Sequence, residues 1–190
     1  MRDLFRSSYN YSIYRCVTMA RKPGSMYRQC RGQVTSRKEY LGGIPNSRIT
    51  QFQMGNRSRD FPVQACLHVD ESCQIRHNSL EAARIAANRS LDKALGAQNY
   101  KLHVRVFPHA VIRENKQATG AGADRVSQGM RSSYGKNVGT AARLKRNQIL
   151  MSVDTAPQNF AVAKNALRKA SMKICSPCTI TIDKGEDLVK

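Results

Sequence analysis

The sequence predicts a single α+β domain: mainly antiparallel strands packed with two longer helices, a basic irregular N-terminal arm and a mobile internal loop. Three observations carry this. Residues 61–109 and 147–190 each hold clear apolar periodicity in the order strand, helix, strand. Both are near neutral, at +2 each, whereas 1–60 and 110–146 carry +9 and +6 with little regular period. The helices are segregated from the strands, which places the chain in the α+β class.

The elements follow in order. Val63, Ala65, Leu67 and Val69 alternate with Gln64, Cys66 and His68, the pattern of a half-buried strand. Asp70-Glu71-Ser72 is a polar turn, and Cys73 to Arg76 reads as a short partner strand. Asn78 is the expected N-cap of the first long helix, with Glu81 three residues on as a capping box. Leu80, Ala83, Ala87, Leu91 and Ala94 follow at helical spacing, and Gly96 stands at the C-terminal stop. Tyr100, Leu102, Val104 and Val106 alternate again, so 100–107 is a strand ended by Pro108. In the second neutral stretch 148–153 is a strand. Thr155 is the expected cap of the next helix, with Gln158 at the box position and Pro157 in the first turn. Phe160, Ala163, Leu167, Ala170 and Ile174 form one helical face, and Cys178, Ile180 and Ile182 alternate in a closing strand.

Composition excludes several classes. A chain of 190 residues with 41 % hydrophobic residues can bury a core without staples. No apolar run approaches the roughly 18 residues of a membrane helix. A membrane span, a collagen-like fibre and a wholly disordered chain are therefore set aside. The charge is the distinctive feature: 32 Lys and Arg stand against 13 Asp and Glu, a net +19 with a pI near 10.2. A compact state that repels itself this strongly needs a polyanion partner, nucleic acid first and an anionic membrane surface second.

Six cysteines are present: Cys16, Cys30, Cys66, Cys73, Cys175 and Cys178. Cys175-Ser-Pro-Cys178 is a lone CxxC, placed between a helix and a strand. A structural zinc site wants four ligands, and His68, His77, His103 and His109 show no H-x3-5-H spacing, so no metal and no cofactor is expected. The cysteines read as reduced structural thiols. Residues 1–18 lack the apolar core of a secretory signal and read as an extension, disordered or untranslated, ahead of a working start at Met19.

The basic stretches carry the functional signal. In 19–60, Arg21, Lys22, Arg28, Arg31, Arg37, Lys38, Arg48, Arg57 and Arg59 are interleaved with Tyr27, Tyr40, Phe52 and several glycines. Basic groups neutralise phosphates, and Tyr, Phe and Arg stack on unpaired bases, so this arm suits folded RNA. In 110–146 the run Gly120-Ala121-Gly122 leads into helical spacing at Val126, Met130 and Tyr134, with Gly135 as the stop. That is a glycine loop feeding a short basic helix over 112–136. Neither a P-loop nor G-x-G-x-x-G is present, which argues against a small-nucleotide site. Glu114 and Asp124 flank the loop with no nucleophile beside them, so they read as salt-bridge or capping partners. His77, just ahead of a helix, suits either a phosphate contact or a structural hydrogen bond.

Arg113-Glu114-Asn115-Lys116-Gln117-Ala118-Thr119-Gly120-Ala121-Gly122-Ala123-Asp124-Arg125-Val126 resembles the archaeal form of universal large-subunit ribosomal protein sixteen. Gly129-Met130-Arg131, Tyr134-Gly135-Lys136 and Gly139-Thr140-Ala141-Ala142-Arg143 continue the likeness. So do Ala20-Arg21-Lys22-Pro23 with Met26-Tyr27-Arg28, Gly43-Ile44-Pro45, Arg76-His77 and Ala87-Asn88-Arg89. The likeness covers nearly everything from Met19 to about Leu188. It implies an α/β-hammerhead-like fold and a structural, non-enzymatic role in the large ribosomal subunit. It also implies a cytoplasmic location within the ribosome, one copy per subunit and no membrane.

The implied partners are large-subunit rRNA, tRNA in the aminoacyl site and neighbouring large-subunit proteins. The implied rRNA-binding set is Arg21, Lys22, Tyr27, Arg28, Arg37, Lys38, Arg48, Arg57, Arg59, Arg76 and Arg143. Arg113, Asn115, Lys116, Gln117, Gly120, Gly122, Arg125, Arg131 and Lys136 would belong to a loop near the tRNA path and the peptidyl transferase centre. Asn46 departs from the family, which has Gly there, and Asn tolerates the left-handed turn such a Gly would serve. From composition alone the competing function is a free RNA-modifying or nucleotide-dependent enzyme using the Gly120–Gly122 loop, and behind it a membrane-surface protein.

Overall fold

The computed structural model describes residues 23–30, 32–34, 39, 41–115 and 135–189. The extension 1–18 and the helix expected from about residue 123 lie outside them. Among the described residues there are three α-helices and eight strands. In chain order they are α1 (Ser25–Arg28), β1 (Gln53–Gly55), β2 (Val63–Val69), β3 (Cys73–Arg76), α2 (His77–Leu95), β4 (Tyr100–Val104), β5 (Ala110–Glu114), β6 (Lys136–Leu144), β7 (Ile149–Thr155), α3 (Phe160–Ser171) and β8 (Cys178–Lys184).

The strands form two antiparallel sheets, ordered β1-β4-β7-β2-β8 and β3-β6-β5. The α2 and α3 helices pack on each other, α3 covering β2 and β7 and α2 reaching β3, β4 and β6. One continuous core joins both sheets and both helices: Leu67, Val69, Leu102 and Met151 from the larger sheet, Ile75, Ala142 and Leu144 from the smaller, Leu80, Leu91 and Leu167 from the helices. This shared core makes the α+β architecture one domain.

Alternation was a good guide where one face of a strand is wet. In β8 it is complete, and β4 buries Tyr100, Leu102 and Val104. β4 stops at Val104 rather than running to 107, although the Arg105 N–H still reaches the Leu150 carbonyl. In β2 the expected outward residue Cys66 is itself buried. Burial first, then a hydrogen bond to Asp183, pushes its thiol up to about 12. The outer face of the larger sheet is thus a close-set polar layer: Gln64 donates to Asp154 at 2.7 Å and Arg105 Nε to Ser152 Oγ at 3.1 Å.

Several expectations need correction. Cys73–Arg76 is a strand, but it pairs with β6 in the smaller sheet and not with β2. The Asn78–Glu81 capping box does not form: α2 starts two residues earlier, with Arg76 as an uncapped N-cap, and Glu81 instead receives Arg84 at 2.6 and 2.9 Å. A guanidinium one turn on offers a carboxylate two charge-assisted bonds, which outweighs one bond to a backbone N–H. Ala94 is exposed, while Leu80, Ala83, Ala87 and Leu91 face the core as expected. Gly96 does end the helix, at φ 73, with its N–H on the Asp92 carbonyl. Thr155 is not a cap either, because it is the last, buried residue of β7; a 3-10 turn over Pro157–Asn159 intervenes before α3. Asn46 does not take up a left-handed turn, since Asn147 is the one non-glycine residue at positive φ among the described residues.

Candidate nucleic-acid interface

Residues 112–136, read as loop and short helix, begin and end as strand. Ile112 to Glu114 belong to β5, and Lys136 opens β6. Glu114 and Lys136 are register partners, as are Arg113 and Asn137. The ends of the intervening segment are therefore held side by side at one end of the smaller sheet. Gly135 closes the join at φ 78, where a Cβ would stand 2.9 Å from the Glu114 carbonyl carbon. Arg113 and Asn115 sit on the β5 stem, Asn115 exposed, and Lys136 is exposed on the other stem. Lys116, Gln117, Gly120, Gly122, Arg125 and Arg131 lie outside the described residues.

The N-terminal arm docks on the same sheet. The Tyr27 ring lies under the Arg76 guanidinium, 4.8 Å from ring centroid to Cζ. Arg28 pairs with Glu71, at the turn just before β3. Arg143, on β6, donates to the Gly32 carbonyl at 2.7 Å and to Cys30 Sγ at 3.4 Å. Asn137 reaches the Gly43 carbonyl through its side chain. So Tyr27, Arg28, Arg76 and Arg143, expected to meet rRNA, are engaged first with one another's segments. The guanidiniums of Arg28, Arg76 and Arg143 clamp the arm.

Arg48, Arg57 and Arg59 differ. All three are exposed, and each is positioned from its base. The Arg48 backbone N–H donates to His77 Nδ1 at 2.8 Å. The Asn56 side chain accepts the Ser58 and Arg59 N–H groups at 3.1 and 3.3 Å, an Asx turn that points both arginines out. Arg57 touches the Gln53 carbonyl at 3.1 Å, and Arg59 lies 5.6 Å over the Phe61 ring. Arg21, Lys22, Arg37 and Lys38 fall outside the described residues. The site residues named from sequence omitted Lys145 and Arg146, exposed on the β6–β7 turn next to Arg143. Their signal was present, as two adjacent cations before an Asn at φ 61.

His77 makes a structural hydrogen bond. Its Nδ1 accepts the Arg48 N–H, which assigns the ring proton to Nε2. The ring packs against Gly139 of β6, where an added Cβ would lie 2.9 Å from Nε2. Replacing His77 by alanine leaves the Arg48 N–H without its acceptor. We expect a loss of about 2 kcal/mol in thermal or denaturant unfolding, with a glutamine there recovering part of it through its amide oxygen. Gly139→Ala should produce a similar loss by pushing the ring away.

A groove of about 470 Å3 between α2 and α3 is lined by Ser90, Lys93, Ala94, Ala161, Val162, Asn165 and Lys169, with no carboxylate among them. Among the described residues no group of three or more His, Cys, Asp or Glu is placed to hold a metal, and no helix is long and apolar enough to cross a membrane.

Comparison with known proteins decides the family. The profile of the family Ribosomal protein L16p/L10e matches residues 30–181. The chain belongs to this family. It is similar to the large ribosomal subunit protein uL16 of Methanocella arvoryzae, 52 % identical over 172 residues, which covers 90 % of this chain and 100 % of that relative. The proteins of that name from Archaeoglobus fulgidus (51 % over 172 residues, 90 % and 98 %) and Halorubrum lacusprofundi (53 % over 174 residues, 90 % and 99 %) are similar to the same degree. The L16p/L10e match spans Arg48, Arg57, Arg59, Arg76, Arg143 and both loop stems, and begins just after Tyr27 and Arg28.

Proposed function

We propose that this protein is a structural constituent of the large ribosomal subunit, acting in the cytoplasm as one copy bound to rRNA and neighbouring subunit proteins, with no catalytic role of its own. The residues 19–60 would form the rRNA-binding arm of a single domain spanning 19–190. The segment between the β5 and β6 stems would lie near the aminoacyl-tRNA path and the peptidyl transferase centre. One observation supports this best: the arm and both loop stems converge on the three-stranded sheet. A rigid sheet anchored by cations on phosphate can hold an inserted segment at a fixed place on folded RNA.

The native protein should sediment with large subunits and leave them only at high salt; a freely soluble pool would overturn the reading. Deleting residues 117–122 separates anchor from probe. That segment carries no charged side chain, so the salt slope of rRNA binding should not change. Aminoacyl-tRNA-dependent peptide synthesis on reconstituted subunits should fall severalfold. Equal loss of rRNA binding would make the loop an anchor.

A further inference from the structure

The extended run that follows α2 presents a row of side chains that the sequence did not nominate. From Tyr100 to Ala110 every even-numbered residue is buried and every odd-numbered one is not. The row left outside is Lys101, His103, Arg105, Phe107 and His109. Its first two members stand on β4. The alternation continues past the strand's end at Val104, where the Arg105 N–H still bonds the Leu150 carbonyl. Alternate residues of an extended chain repeat about every 6.7 Å, close to the step of an extended nucleotide strand.

The row is cationic and carries one ring. Lys101 and Arg105 are ion-paired to no carboxylate among the described residues. Arg105 is exposed, and its Nε donates to Ser152 Oγ at 3.1 Å, which fixes where the guanidinium stands. Asp154, the register partner of Lys101, accepts from Gln64 at 2.7 Å. A third cation comes from the edge strand: Arg57 donates to the carbonyl of Gln53, the register partner of His103. Burial first, then the Arg105 cation, hold His103 below the ordinary imidazole range, so the group between Lys101 and Arg105 is neutral at pH 7. Phe107, at 59 %, is the one exposed aromatic ring among the described residues. Its surroundings hold it in place. The Phe52 ring, itself packed on the core, stands 5.7 Å away between centroids, and His109 Nδ1 donates to the Phe107 carbonyl at 3.2 Å.

We propose that this row is a track for a single-stranded stretch of rRNA, with phosphates on Lys101, Arg105 and Arg57 and one unpaired base stacked on Phe107. It rests on the rRNA-binding reading above and gives that reading a second surface, on the larger sheet, whereas the arm and the loop stems gather on the smaller one. A single strand is the form that fits. Its backbone can follow a line of cations, and its bases are free to stack on a ring. A paired helix has its bases stacked on one another and offers no face to Phe107. An acidic protein segment would satisfy the cations and leave the ring unused.

The test irradiates the full chain bound to deproteinised large-subunit rRNA with ultraviolet light and maps nucleotide adducts by mass spectrometry. An adduct on Phe107 is expected. A short oligouridylate should compete it away, and an RNA duplex of the same length should not. Phe107→Leu, which keeps an apolar contact for Phe52, should weaken rRNA binding roughly 5-fold or more with the salt slope unchanged, and Phe107→Tyr, which keeps the ring, should stay close to wild type. Lys101→Gln combined with Arg105→Gln should make the slope shallower by about 1.4, at about 0.7 for each single-strand phosphate contact. Circular dichroism of each variant shows that the fold is intact, and the adduct map of the wild type needs no variant at all. Adducts elsewhere on the chain with none on Phe107, or both variants binding rRNA with unchanged affinity and slope, would overturn the track and leave the rRNA-binding reading standing. Variants that bind rRNA normally but fail to join large subunits would put a protein on this face, which also defeats the proposal. A wild-type chain that binds no rRNA would remove the underlying reading and the track with it.

Discussion

Replacing Gly55 by alanine is expected to lower the melting temperature by about 10 °C. Gly55 ends β1 at φ 84, a conformation that L side chains rarely adopt. An added Cβ would stand 2.2 Å from the Tyr100 carbonyl oxygen and 3.0 Å from its carbonyl carbon. These are backbone atoms of β4, and that carbonyl is already committed, accepting the Asn56 N–H at 2.9 Å. Relief therefore requires β1 to leave β4, along with the Gln53↔His103 and Met54↔Leu102 pairing. Strain at such a position combined with a backbone clash belongs to the short list of changes that cost on the order of 4 kcal/mol. For a domain of this size each kcal/mol shifts the midpoint by about 2–4 °C. The Asx turn that aims Arg57 and Arg59 begins at the next residue, so rRNA affinity should fall with stability. Differential scanning calorimetry measures the first effect and filter binding the second. An unchanged melting temperature would mean that the β1 edge is dispensable to the fold.

The same sheet shows what was legible in the sequence. Alternation located β2, β4 and β8, because each has one face on the helices and one wetter face; β7 was read as a strand without it, and Leu150 to Val153 are buried in succession. Alternation missed β6, the central strand of the smaller sheet. There Gly139, Thr140, Ala141 and Ala142 are buried consecutively, so a strand covered on both sides shows a run of small residues with no period. β5 is short and runs straight into charged residues, which gave it the look of a loop. Missing these two strands also hid how the loop is held, since their register brings Glu114 to Lys136. Helix spacing and the Gly96 stop were readable, but N-caps were not. Glu81 had a better partner in Arg84, and Thr155 had already been taken into β7.

The cations show a similar limit. Composition nominated the residue types and the arm, but charge alone does not tell a cation that is spent inside the protein from one that is offered outward. Arg28 looked equivalent to Arg48 in sequence; one is paired with Glu71 while the other is exposed.

That difference between cations leads to the strongest functional prediction. The triple variant Arg48→Ala, Arg57→Ala, Arg59→Ala should bind large-subunit rRNA with a salt slope shallower by about 2–3, since each phosphate contact contributes roughly 0.7–0.9. Over a rise from 50 to 200 mM salt the affinity lost would shrink by roughly 20- to 40-fold relative to wild type. Stability should hardly move, because exposed charged contacts such as Arg57 on the Gln53 carbonyl contribute about 1 kcal/mol or less. Arg76→Ala should behave in the opposite way. Its guanidinium covers the Tyr27 ring, and Arg76 joins β3 to α2, so its loss frees the arm and appears mainly in the unfolding transition. Affinity at low salt would then fall through arm disorder while the slope drops by about one at most. Measuring slope and melting temperature on both variants separates anchoring cations from clamping ones. A triple variant with an unchanged slope would place the rRNA on another face, and the basic outer surface of α3, with Lys164, Arg168 and Lys169, and Lys173 just past its end, would be the surface to substitute next.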